Sequence, residues 1–118
     1  MQRFMIHIIR QRAEPEQMRQ MLEALGIYIK LAVDVERHIL AGGGELHADC
    51  ELVLLDDGSQ QRHIWGADWY PLSQTVGYES LINIRPSVNN RSMMIQDPAM
   101  RDDIRQLVQS LLGDVQWQ

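Results

Sequence analysis

The sequence predicts an α+β fold: a mainly antiparallel sheet of four to five strands packed against two long helices and one short helix. Three observations carry this. Apolar residues recur at helical spacing near both ends, they alternate strand-like in the middle, and the order strand, strand, helix occurs twice, over 28–57 and 62–112. That order implies a sheet with its helices on one face. With 118 residues and a 45% hydrophobic fraction, the chain is long enough to build its own core and too apolar for disorder. One compact domain over residues 1–118 is expected.

The chain opens with Phe4, Ile6 and Ile8 alternating with Met5, His7 and Ile9, a strand covered on both faces. Met18, Met21, Leu22 and Leu25 then mark a helix from Pro15, with Gly26 just past its end. Tyr28 to Glu36 reads as a strand. Arg37 and His38 turn it into a second, Ile39-Leu40-Ala41, which runs toward Gly42-Gly43-Gly44. Beyond the glycines two patterns compete. Glu45 to Leu52 alternates, yet Asp49 suits a helix cap and Gly58 a helix stop. The reading adopted is a strand through His47 and a short helix from Asp49 to Asp57.

Arg62 to Tyr70 reads as a further strand interrupted at Gly66, and Tyr78 to Arg85 as the last, ended by Pro86. Ser87 to Ile95 forms a polar loop. The closing helix has Asp97 as cap, Pro98 in its first turn, a stripe of Met100, Ile104, Leu107, Val108 and Leu111, and Gly113 as stop. Residues 114–118 are expected to fray.

Charge and cysteine content narrow the function. A net charge of −5 argues against a nucleic-acid partner, which would need a basic face to displace phosphate counterions. A lone Cys50 excludes an internal disulfide. The apolar start lacks a cleavage site and is too short to span a bilayer, so no membrane association and a cytoplasmic setting are expected.

Several blocks together, Val33-Asp34-Val35-Glu36, Gly43-Gly44-Glu45-Leu46-His47-Ala48-Asp49, Trp65-Gly66-Ala67, Leu81-Ile82-Asn83-Ile84-Arg85-Pro86 and Asn89-Asn90-Arg91-Ser92, resemble a family of small uncharacterised prokaryotic proteins. The resemblance runs from about Ile29 to Leu112. It implies a prokaryotic, cytoplasmic protein of one compact domain, and it brings no catalytic residues with it.

Two constellations could carry chemistry. Arg85, Asn89, Asn90, Arg91 and Ser92 could bind a small anionic ligand, since guanidinium groups hold carboxylate or phosphate through paired hydrogen bonds and asparagine turns present backbone N–H groups. The structural alternative is that nearby acids occupy the arginines and the asparagines only shape turns. The second set is Glu45, His47 and Asp49 with Asp34, donors for a divalent metal. In an extended chain alternate residues share a face about 6–7 Å apart. Against that, Asp49 capping a helix and His47 bonding a loop carbonyl explain the same residues.

Cys50 with His47 as base is a weaker nucleophile pair, because Asp49 and Glu51 flank it and raise its pKa. Trp65, Trp69, Tyr70 and Tyr78 suit a core or a subunit interface better than a base-stacking platform. The expected function is therefore binding of a small ligand or partner by a homo-oligomer. The alternatives are a metal-dependent hydrolase using His47 and nearby carboxylates, and a purely structural interaction subunit.

Overall fold

The computed structural model describes residues 5–118, so the predicted strand start at Phe4 lies outside the described residues. Five strands form one antiparallel sheet in the order β1-β3-β2-β4-β5: β1 is His7–Ile9, β2 Ile29–Asp34, β3 Ile39–Gly44, β4 Ile64–Tyr70 and β5 Thr75–Gly77. Three α-helices join them, α1 Pro15–Leu22, α2 His47–Asp56 and α3 Pro98–Leu112. One helix is long, at 15 residues, and the other two span 8 and 10, which corrects the expected two long and one short.

The helices cover both faces, not one, and the strand order explains why. Helix α1 joins β1 to β2 across β3, and α2 joins β3 to β4 across β2. Every neighbouring pair is antiparallel, so each crossover joins two parallel strands one place apart. Such crossovers share one hand. Two of the same hand that start from oppositely directed strands and step in the same direction must lie on opposite faces.

The core is accordingly split. On one face Ile29, Leu31, Val33, Leu40, Trp65 and Trp69 pack with Met18 and Met21 of α1 and Ile104, Val108 and Leu112 of α3. On the other, Ala32, Ile39, Ala41 and Ile64 meet Cys50 and Leu54 of α2.

The three glycines do distinct jobs in this arrangement. In the β2–β3 pairing Lys30 faces Gly44 and Leu31 faces Gly42, so Gly43 is the extra residue of a bulge. Its φ of +109° and the carbonyl oxygen of Met5, 2.7 Å from where a Cβ would sit, both demand glycine. A Cβ on Gly44 would crowd Asp49 and Cys50, so the strand's end lies directly under the first turn of α2.

That helix starts at His47, two residues before the position read from sequence, and no strand reaches His47. Its cap position is Leu46, extended and without a side-chain cap, and Asp49 falls in the first turn, where a carboxylate complements the helix dipole.

Two further expectations are corrected. Residues 78–85 are not a strand. Only the isolated bridges Glu79–Met94 and Arg85–Asn90 pair there, with 3-10 turns at Leu81–Asn83 and Pro86–Val88. The buried side chain of Asn83 takes the place of a strand partner. Its Oδ1 accepts from the Gly66 N–H at 2.8 Å, and its Nδ2 donates to the Gly66 carbonyl at 3.0 Å. A Cβ on Gly66 would sit 2.5 Å from Ser80, so the segment crosses β4 where only glycine lets it close. Residues 114–118 do not fray: Val115 is buried, Trp117 packs against the core, and Arg19 donates to the Trp117 carbonyl at 3.3 Å.

Candidate functional site

The residues expected to form an anion pocket are mostly committed to internal bonds. Arg85 donates to the Gln61 carbonyl at 2.6 Å and to Glu51 at 3.0 Å, and its guanidinium lies 5.4 Å from the centre of the Trp65 ring. Burial pulls this guanidinium below its usual pKa range, and Glu51 opposes the shift. Asn90 is buried. Its Nδ2 donates to the carbonyls of Asn83, Ser92 and Met94, and its Oδ1 accepts from the Gln96 N–H. Asn89 holds a left-handed turn at φ 60°, and Ser92 accepts from the Met94 N–H at 3.0 Å. Arg91 is exposed. Arg85 and Asn90 line different clefts, and Arg91 lines neither.

The four metal-ligand candidates also part. Asp34 is buried at the hairpin, its Oδ1 accepting from the N–H groups of Glu36 and Arg37 at 2.9 and 3.0 Å. Glu45 and Asp49 are exposed, whereas the His47 ring turns inward. Among the described residues no three His, Cys, Asp or Glu side chains stand close enough to hold a metal ion. Nor does His47 serve Cys50. The thiol is buried, donates to the Lys30 carbonyl at 3.4 Å, and is pushed by burial to a pKa of about 11, so it stays protonated.

What His47 does meet is Asp68, a residue outside both constellations. Nε2 of His47 lies 2.8 Å from Asp68 Oδ1 and 3.1 Å from the Ala67 carbonyl oxygen. Both are acceptors, so Nε2 carries the proton, and in the neutral ring Nδ1 bears the lone pair. The two side chains are 11% and 12% exposed, which makes this a mostly desolvated pair. Nδ1 has no partner among the described residues. The buried side-chain atoms without a partner there are Asp34 Oδ2 and Trp69 Nε1, and Nδ1 is not one of them.

The pair opens into a cleft of about 420 Å³, within the range of small-molecule sites. Helix α2 supplies His47 and Ala48, strand β2 supplies Lys30, strand β4 supplies Asp68, and Leu81, Ile82 and Met93 form the apolar side. Lys30 donates to the Glu45 carbonyl at 3.1 Å, tying β2 to the approach of α2. Tyr28 at the rim stacks on Tyr70, ring centres 5.3 Å apart.

Two other clefts have similar volumes, about 450 and 460 Å³. In the second, Arg85 and Glu51 neutralise each other and Arg62 is exposed at its edge. The first, between α3 and the β2–β3 hairpin, presents no comparable buried polar pair.

Sequence reasoning found His47 and missed Asp68. The available signal was an acid inside Ile64-Trp65-Gly66-Ala67-Asp68-Trp69, a run otherwise apolar enough to be buried.

Among the described residues no helix is long and apolar enough to cross a membrane. No curated protein and no solved structure matches the chain. A family model does match over residues 7–111, and the chain therefore belongs to the family described as "Protein of unknown function (DUF5674)".

Proposed function

We propose that this protein binds a small molecule in the cleft headed by His47 and Asp68. One observation carries the reading. A desolvated imidazole has one nitrogen locked as a donor to a carboxylate while the other is left without a partner at the mouth of a half-apolar cleft. Burying such a pair costs free energy, and a histidine needed only for packing would have both nitrogens satisfied or be replaced by an apolar residue. Asp68 acts as a positioning residue, since fixing the Nε2–H fixes the tautomer and the ring plane. The Arg85–Ser92 loop then serves to shape the fold, not to hold the ligand.

The exposed Leu46, Leu52, Leu81, Ile84 and Val88 favour a second reading, a homo-oligomer or interaction subunit in a prokaryotic cytoplasm. Light scattering over a concentration series tests it, and a monomer throughout would remove the homo-oligomer.

For the cleft, a thermal-shift screen of a small-molecule library should yield stabilisers. Their effect should vanish in His47→Ala and persist in Arg91→Ala. Stabilisers indifferent to His47, or lost in Arg91→Ala, would contradict the proposal.

A further inference from the structure

Resting on that reading of the cleft, we propose that its ligand is a small organic amine with an apolar body. The polar lining sets open acceptors and two carboxylates beside a single ammonium. Among the described residues His47 Nδ1 has no partner, Asp68 spends Oδ1 on His47 and makes no bond through Oδ2, and Glu79 at the rim is exposed with no ion pair. The ammonium of Lys30 donates one of its three N–H groups to the Glu45 carbonyl. With the imidazole neutral, two carboxylates (Asp68 and Glu79) and one ammonium (Lys30) line the cleft, and −2 + 1 gives a formal charge of −1.

The Tyr70 hydroxyl, behind Tyr28, senses the same field. Burial raises its pKa first, and the charges of Asp68, Tyr28 and Glu79 add to the rise. An ammonium head answers each feature: its N–H groups meet the open acceptors, its charge offsets the carboxylates, and an aromatic rim favours a cation. The remaining wall is apolar, with Leu46 57%, Leu81 72% and Met93 42% exposed around the opening. That surface suits a hydrocarbon body. An anion would meet two carboxylates and a lone pair, with the Lys30 ammonium and the N-terminal end of α2 as the opposing attractions.

The test uses the full chain and three probes of one shape, benzylamine, benzoate and benzyl alcohol, followed by amide chemical shifts. Benzylamine should perturb Tyr28, Ala48, Asp68, Ser80 and Met93 and bind at least about tenfold more tightly than either analogue, a head-group contribution of the size expected for charge-assisted bonds. Glu79→Gln, exposed and so harmless to folding, should weaken benzylamine about two- to fivefold, the range of a solvent-screened ion pair. Lys30→Met should strengthen it.

Equal or tighter binding of benzoate or benzyl alcohol at the same amides overturns the amine assignment and leaves the cleft standing. Silence from all three probes also overturns it. The cleft itself then falls only if the library screen gives no stabiliser that depends on His47.

Discussion

At the scale of single residues, polar side chains in this protein divide by how completely their bonding capacity is used. Asn83 is the extreme case. Its amide bonds both backbone groups of Gly66 and also donates to the carbonyls of Tyr78 and Met93. Each buried partner left unpaired costs about 1–3 kcal/mol, so Asn83→Ala should destabilise the protein by roughly 2–4 kcal/mol in urea unfolding. Arg91→Ala, at an exposed site, should fall within about 0.5 kcal/mol of the parent. The sequence marked Asn83 and Arg91 as members of equally prominent blocks and could not rank them, because bonding capacity is used up only by partners distant along the chain. His47 was legible as a candidate. Its partner Asp68 was legible only as an acid inside an apolar run, because that run signals burial and nothing local names the residue it pairs with.

Elements were legible where local signals agreed with the fold. Helix α3 begins at Pro98 after the Asp97 cap, whose Oδ1 accepts from the Ala99 N–H at 2.9 Å, and it ends before Gly113, as its punctuation dictates. Strand β2 also fell where alternation put it, and β3 runs from the expected Ile39–Ala41 on through Gly44. Residues 78–85 alternate as well, yet Asn83 and the closely packed Gly66 turn them into 3-10 turns lying against β4. Alternation reports two faces, not a hydrogen-bonded neighbour. Helix placement failed for another reason. Small residues such as Ala32 and Ala41 on the α2 face read as gaps in a one-sided pattern, when they are what lets a second helix approach. The bulge at Gly43 is the element-scale test. Gly43→Ala should cost more than about 2 kcal/mol, combining a left-handed φ with a backbone clash. Gly58→Ala, with φ +103° but open space around it, should cost only the conformational part, about 1 kcal/mol.

Across the whole molecule, surface charges join the separate crossovers. Asp57, at the end of α2, accepts from Arg10 after β1 and from Arg37 in the β2–β3 turn, each at 2.7 Å. The hydrogen bond from Arg10, then that from Arg37, holds its carboxyl below the usual range. A carboxylate with a depressed folded-state pKa stabilises the fold above its ordinary pKa, and that contribution disappears as pH falls through the folded value. Urea midpoints should therefore drop between about pH 5 and about pH 2, and drop less steeply in Asp57→Asn. An equal slope in both proteins would mean that Asp57 contributes nothing to acid sensitivity.

The same architecture brings α2, β2 and β4 together around His47, and the account rests on that imidazole having one committed nitrogen and one open one. Long-range proton–nitrogen correlation of the His47 ring, recorded with the ring neutral, reads this directly. The proton should lie on Nε2, facing Asp68, with Nδ1 unprotonated, and the preference should weaken in Asp68→Asn. A proton on Nδ1 would remove the acceptor from the cleft and contradict the account.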